Sequence, residues 1–276
     1  MIKVIKSGLY TSIQDNGRYG YRSIGVPSSG FMDQHSASIA NMIVGNNKNE
    51  SLLEFTLMGP TLLFNNNYTV SFTGGDFELM INDSKIEMYK PINVKIGDIL
   101  KVNHTKSGAR GYLAVSGTID IDSFLGSKSF FKNITRSHYL KNGDEIKVLR
   151  KKKNKNFYNY ESKLEINNLM NAFKGPEYYL LDKESINKLF NDEFIIGLNN
   201  RMAYNLEGKI QAKLNSIISS PVLPGTVQLT PSGKMIILHR DCQTSGGYAR
   251  ILQLDKKSIN NLAQLKVGVN IKFKLL

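Results

Sequence analysis

The chain has 276 residues, of which 41% are hydrophobic and 21% charged, with a net charge of +13. That balance excludes a disordered chain, and the length suffices to bury roughly 70–75% of the unfolded surface. One cysteine, Cys242, excludes an intrachain disulfide, and no apolar run approaches the ~18 residues a membrane helix needs. The expectation is a cytoplasmic protein without a secretory leader, since the start, Met-Ile-Lys-Val-Ile-Lys, has no long apolar segment. Most of the positive charge is lysine scattered among asparagines, and no nucleic-acid motif accompanies it. A solvated surface, compatible with an anionic substrate, is the simpler reading.

In chain order, Ile2 to Gln14 reads as strand, turn at Ser7-Gly8, strand. A loop rich in glycine, proline and polar residues follows: Asp15-Asn16-Gly17-Arg18-Tyr19-Gly20, then Gly25-Val26-Pro27-Ser28-Ser29-Gly30. Such a loop exposes main-chain N–H groups and polar side chains at fixed places, as a binding loop requires, although an ordinary turn-rich connection has the same composition. The clearest helix spans Met32 to Val44, capped by Asp33 or Ser29 and stopped by Gly45-Asn46-Asn47. Short strands are expected at Leu52–Thr56, Thr61–Phe64, Thr69–Thr73, Phe77–Ile81, Lys85–Tyr89, Asn93–Ile96, Ile99–Asn103 and Gly111–Val115, with a hairpin turn at Asn82-Asp83-Ser84. A weak repeat links Ile96-Gly97-Asp98-Ile99-Leu100-Lys101-Val102, Asn142-Gly143-Asp144-Glu145-Ile146-Lys147-Val148 and Val267-Gly268-Val269-Asn270-Ile271-Lys272-Phe273; each is a glycine turn feeding a strand. Residues 151–163, rich in lysine and asparagine, read as a linker between domains at 1–150 and 164–276. Beyond it come a strand at Tyr178–Leu181, a helix at Lys183–Phe190 capped by Asp182, a strand at Phe194–Ile196 and a last helix at Ser258–Leu265. The class is mainly β with two or three short helices.

The second chemistry-bearing stretch is His239-Arg240-Asp241-Cys242-Gln243-Thr244-Ser245-Gly246-Gly247-Tyr248, which follows the apolar strand Met235 to Leu238. Gly246-Gly247 can present consecutive N–H groups to an anion, and Asp241 can orient a donor or act as a base. A tight strand–turn–strand with satisfied polar residues is the plain alternative. Arg201 and Tyr204 lie in Asn199-Asn200-Arg201-Met202-Ala203-Tyr204, with a surface ion-pair arginine as the plain alternative for Arg201. The four histidines have no metal-ligand spacing, and the chain has no Walker A loop, dinucleotide glycine pattern or Gly-x-Ser-x-Gly elbow. Ser185-x-x-Lys188 falls on a polar helix face and is attributed to chance.

These motifs together resemble the allophanate hydrolase subunit 2 family, which includes KipA-type proteins, the 5-oxoprolinase C-subunit and part of the carboxyltransferase region of urea carboxylase. Its opening pattern, Gln-Asp-x-Gly-Arg-x-Gly, Gly-Val-Pro-x-Ser-Gly, Met-Asp and Ala-Asn, is present at Gln14–Gly20, Gly25–Gly30, Met32-Asp33 and Ala40-Asn41. The stretch Asp241–Tyr248 matches Asp-x-Gln-Thr-x-Gly-Gly-Tyr-Pro except that Ala249 replaces the proline. Ser220–Gln228, Leu53-Glu54, Met58-Gly59-Pro60 and Gly126-Ser127-Lys128-Ser129 also match, with Lys128 where the family has arginine. Around Arg201, Asn199 and Asn200 replace a serine and an acid, Ala203 a glycine and Asn205 an arginine.

The resemblance implies two cyclophilin-like β-barrel domains and a partner of the KipI or allophanate hydrolase subunit 1 type. It implies the C-subunit of an ATP-dependent 5-oxoprolinase, which opens 5-oxo-L-proline to L-glutamate with a large partner subunit, ATP and Mg being used at the level of the complex. Nominated acid–base residues are Asp15, Asp33, His239 and Asp241. Nominated substrate- or phosphate-binding residues are Gln14, Arg18, Ser29, Glu54, Lys128, Arg201, Tyr204, Gln243, Thr244, Gly246, Gly247 and Tyr248. Two alternatives stand beside this: a carboxyltransferase subunit served by biotin on a separate carrier, and a non-catalytic KipA-type regulator that binds a KipI-like kinase inhibitor. Gln14–Asp33 and Asp241–Tyr248 are expected to share one site where two barrels meet.

Overall fold

The computed structural model describes residues 1–149, 158, 160, 165–212 and 214–276. They form two compact units: Met1–Arg18 with Ser29–Glu165, and Tyr19–Ser28 with Ile166–Leu276. Apart from Tyr158 and Tyr160, the expected linker lies outside the described residues.

The first unit is a nine-stranded sheet. Its main path runs Glu145–Ile146, Ile2–Lys6, Thr61–Phe64, Ile99–Val115, Leu52–Thr56, Thr11–Gln14, and Tyr68–Ile81 pairs with Ile99–Val115 off that path. These last two are single strands of 14 and 17 residues, where the sequence reading broke each into two. Their pairing extends from Val70↔Val115 to Ile81↔Leu100, with register shifts between Gly74 and Asp76 and again up to Leu79. The irregularities are bulges, which bend a strand without ending it. Gly74 has φ +95°, and a Cβ there would lie 2.4 Å from the Arg110 carbonyl oxygen. The expected hairpin is present at Ile81↔Ser84, with Asn82 at φ +48° and Asp83 at +66°, the backbone that favours Asn and Asp.

Helix α1 (Gln34–Ile43) is capped by Asp33, whose carboxylate accepts from the N–H groups of His35 and Ser36; Ser29 takes no part in the cap. Phe31, Ala37, Ala40 and Val44 pack against Leu52, Tyr112 and Ala114 of the sheet. The Ser71 and Thr73 hydroxyls donate to the Ala40 and Ser36 carbonyls of the helix, at 2.6 and 2.7 Å. The main core lies beneath the sheet, with Phe55, Phe64, Phe72, Phe77 and the aliphatic residues of the same strands.

The second unit is a closed seven-stranded barrel in the order Leu169–Lys174, Ala249–Leu254, Thr226–Leu229, Met235–Leu238, Ala203–Glu207, Phe194–Asn199, Asn270–Leu275. It closes by parallel pairing of Leu169–Lys174 with Asn270–Leu275. The expected strand at Tyr178–Leu181 is instead a 3₁₀ turn, Tyr178–Leu180. Gly175-Pro176 ends the preceding strand, and the Tyr178 and Leu180 N–H groups bond back to Gly175 and Glu177. Helix α2 (Lys183–Asn191) starts at the Asp182 cap as expected. Helix α3 (Lys256–Leu262) begins two residues earlier than expected, because Asp255 caps it by accepting from the Ser258 N–H at 2.7 Å. None of these helices is long and apolar enough to cross a membrane.

The weak sequence repeat is a real structural repeat. Gly97, Gly143 and Gly268 have φ of +89°, +91° and +87°. Each donates its N–H to a neighbouring segment, at Phe64, Val4 and Ile196, and that residue's N–H bonds back to the carbonyl of Asp98, Asp144 or Val269. A left-handed glycine between reciprocal bonds launches the next strand in all three places.

Candidate functional site

In the first unit the nominated residues converge on Asp15. Its Oδ1 accepts from the Gly17 N–H (2.8 Å), the Ser127 hydroxyl (2.7 Å) and the Ser129 hydroxyl (2.6 Å). Its Oδ2 accepts from the Lys128 N–H at 2.7 Å. The carboxylate thus ties the Asn16-Gly17 turn to the Gly126–Ser129 loop, and its oxygens are taken up by those four donors. Arg18 is fully buried and donates through Nη2 to the Ser129 carbonyl at 2.5 Å. Lys128 turns its ammonium onto the Ile119 carbonyl at 2.6 Å. The Gln14 carboxamide, also buried, donates to the Ser12 hydroxyl and the Phe130 carbonyl. Ser29 stands at φ +54° and is buried, with its Oγ meeting no partner among the described residues. The adjoining Gly30 lies so close to Asn16-Gly17 that a Cβ would come within 2.8 Å of the Gly17 nitrogen.

A second carboxylate pair in this unit positions the start of α1. Glu54 Oε2 accepts from the Met32 N–H at 2.8 Å, and the Tyr112 hydroxyl oxygen accepts from the Asp33 N–H at 2.7 Å. Asp33 also accepts from the Ser36 hydroxyl at 2.5 Å. Burial, followed by the nearby Glu54 and Asp33 charges, pushes the Tyr112 phenol well above its ordinary range. These are the bonds of a helix entry: the Asp33 carboxylate satisfies main-chain N–H groups that the helix leaves open, and Glu54 holds the residue just before the cap.

In the second unit, Arg201 and Asp241 form a two-point pair, Nε to Oδ2 at 2.8 Å and Nη2 to Oδ1 at 3.2 Å, and both side chains are largely buried. Their main chains are joined as well, with the Asp241 N–H donating to the Arg201 carbonyl. Asn200 Oδ1 accepts from the Met202 and Ala203 N–H groups at 2.7 and 3.1 Å, so the amide in place of an acid keeps the acceptor that this turn uses. Ala203 is buried against Val222, Leu238 and Cys242. His239 is fully buried; its Nδ1 accepts from the Arg240 N–H, so Nε2 carries the proton donated to the Ile259 carbonyl at 3.0 Å. Its ring lies 5.6 Å from that of buried Tyr204. Both ring nitrogens therefore serve the framework, joining the end of Met235–Leu238 to α3.

The stretch after Asp241 forms a ribbon. Ser245-Gly246 pairs with Ser220-Pro221, and the Gly247 carbonyl accepts from the Ile217 N–H at 2.9 Å. Gln243 and Thr244 are half-buried and Tyr248 is 39% exposed. One residue missed by the sequence reading belongs here. Arg22, carried into this unit by Tyr19–Ser28, donates through Nη2 to the carbonyls of Val222 and Gln243. Within the second unit, Arg22 thus brings part of the stretch Gln14–Asp33 to Gln243 of the stretch Asp241–Tyr248. Arg22, between Gly20 and Gly25, is visible in the sequence, but nothing local reveals its partners.

The model for the carboxyltransferase domain, subdomain A and B, matches residues 24–275. The chain belongs to this carboxyltransferase-domain family. It is 32% identical to the 5-oxoprolinase C-subunit of Escherichia coli over 99% of its own length and 90% of that protein's. Among solved structures it superposes on TTHA0988 with a TM-score of 0.91 and 27% identity, covering 99% of the chain and 55% of TTHA0988. On the urea amidolyase of Kluyveromyces lactis the TM-score is 0.90 and the identity 30%, covering the whole chain but only 18% of that enzyme. The chain therefore spans about half of one solved relative and under a fifth of the other. Its mainly β architecture with three short helices is that of these carboxyltransferase-type neighbours.

Proposed function

We propose that the chain is the C-subunit of a cytoplasmic, ATP-dependent 5-oxoprolinase, working with a KipI-type subunit and a large subunit to open 5-oxo-L-proline to L-glutamate. The observation that carries this reading is the match to the Escherichia coli C-subunit over 99% of this chain and 90% of that one. A lactam is a poor electrophile; phosphorylation of its oxygen by ATP activates the carbonyl carbon to water, the adduct expels the ring nitrogen as the C–N bond breaks, and a second water releases phosphate from the resulting acyl phosphate to leave L-glutamate.

Each cation nominated to hold a phosphate makes at least one contact with the frame. Arg18 and Lys128 donate to main-chain carbonyls, and Arg201 is paired with Asp241. Among the described residues no group of three or more His, Cys, Asp or Glu side chains could hold a metal ion. In our reading ATP and its Mg are held elsewhere in the complex. What this chain contributes in our reading is a rigid frame, braced by Asp15 and by Arg201–Asp241, that presents the Gln243–Gly247 ribbon to the substrate.

A second reading is favoured by the carboxyltransferase family itself and by the likeness to urea amidolyase: transfer of CO2 from carboxybiotin on a separate carrier to an amide-like substrate. The discriminating experiment measures glutamate release from 5-oxo-L-proline by the co-expressed complex. Release that needs ATP and persists with avidin present and bicarbonate removed supports the first reading. Inhibition by avidin, with a bicarbonate requirement, supports the second.

A further inference from the structure

The polar side chains of the second unit are mostly committed to the fold, but those of Gln243 and Thr244 are not. Both are half-buried, and neither the Gln243 carboxamide nor the Thr244 hydroxyl is bonded to another described residue. Their main-chain carbonyls, in contrast, both accept hydrogen bonds. The Val222 N–H donates to the Thr244 carbonyl at 3.1 Å, below the paired residues Pro221↔Ser245 and Ser220↔Gly246. Beyond Val222 the main-chain rungs stop, and the Arg22 guanidinium supplies the next one by spanning the Val222 and Gln243 carbonyls. The missing side chain of Gly246 lets two amide side chains approach its main chain. A Cβ there would lie 2.6 Å from Gln228 Nε2 and 3.5 Å from Gln243 Nε2. Gln228 is buried and donates to the Tyr248 carbonyl, which leaves the Gln243 carboxamide as the one of these two amides with its bonding capacity unspent.

From this we propose that Gln243 is the specificity-determining residue that reads the cis-amide edge of the substrate. A primary carboxamide offers an acceptor oxygen and an N–H donor side by side. A five-membered lactam holds its own N–H and C=O on one edge, so both hydrogen bonds form together in a cyclic pair. Urea presents the same edge; a carboxylate or an ester does not. Holding the main chain at the Gln243 and Thr244 carbonyls lowers the ordering cost of that pairing. A site built to bond both groups also rejects an analogue that lacks one, because a polar group is then left unpaired.

The inference rests on the amide-substrate reading above, and its test separates the two. Calorimetry on the assembled complex compares 5-oxo-L-proline, its lactone analogue with ring oxygen in place of N–H, and urea. Gln243→Ala should weaken 5-oxo-L-proline binding by about 10- to 100-fold and weaken lactone binding by clearly less, with an unchanged melting temperature. Gln243→Glu, which keeps the shape and loses the donor, should also bind the lactam at least about tenfold more weakly. If the wild-type complex binds urea but not 5-oxo-L-proline, and Gln243→Ala abolishes urea binding, Gln243 keeps its role while the 5-oxoprolinase reading falls. Normal lactam binding by Gln243→Ala, equal losses for lactam and lactone, or no binding of either amide by the wild-type complex would overturn the proposal.

Discussion

Ser29 is held at φ +54° with a buried hydroxyl that meets no partner among the described residues. An L-residue in the left-handed region costs roughly 1–2 kcal/mol relative to glycine, and an unbonded buried hydroxyl adds to that. Ser29→Gly should therefore raise stability by about 1 kcal/mol in thermal melts; a lower melting temperature would show that the hydroxyl is bonded after all. The Arg201–Asp241 pair has the opposite sign. Its side chains are only 9% and 12% exposed, so Arg201→Ala leaves a buried carboxylate without its cation and should cost about 3 kcal/mol by denaturant titration. If Asp241 only braces this turn, Asp241→Asn should change turnover and binding of the complex little; a loss of turnover with intact binding would assign it acid–base work. Cys242 is fully buried, and desolvation, partly offset by Arg22, raises its thiol to about 11. It should resist thiol reagents at pH 8 until the protein unfolds.

Among the elements, the 3₁₀ turn Tyr178–Leu180 is anchored by Glu177, which accepts at two points from Arg250 of the barrel strand Ala249–Leu254. The Arg250 hydrogen bonds hold the Glu177 carboxyl below its ordinary value of 4.5. A depressed acid stabilises the fold above its unfolded value, and that contribution disappears as pH falls through the folded value. Wild type should thus exceed Glu177→Gln in stability at pH 7, and the gap should close below about pH 4.5. A gap independent of pH would mean that the pair does not report the charge. The same contact shows where sequence reasoning stops. Caps such as Asp182, the Asn82-Asp83 turn and the three glycine turns were legible because each is set by residues within a few positions. The two long bulged strands, and the turn in place of a strand at Tyr178, depend on partners up to 73 residues away. The site divides in the same way. Motif residues could be picked out, but that Asp15 and His239 spend their polar atoms on the frame, and that Arg22 reaches Gln243, follows only from the fold.

At the scale of the molecule, the net charge of +13 comes without a nucleic-acid motif. Binding to duplex DNA should be weak and vanish at moderate salt; salt-resistant, sequence-selective binding would contradict that. The relatives carry the larger consequence. One is named as a subunit, and in urea amidolyase the matching region is 18% of the chain. Because that first relative is a subunit, activity should appear only when partner subunits supply the nucleotide chemistry. The most direct measurement is glutamate formation from 5-oxo-L-proline and ATP, assayed on the isolated chain and on the chain co-expressed with a KipI-type and a large subunit. The account predicts ATP-dependent release by the complex and negligible release by the isolated chain. Substantial turnover by the chain alone, or none by the full complex, would contradict it.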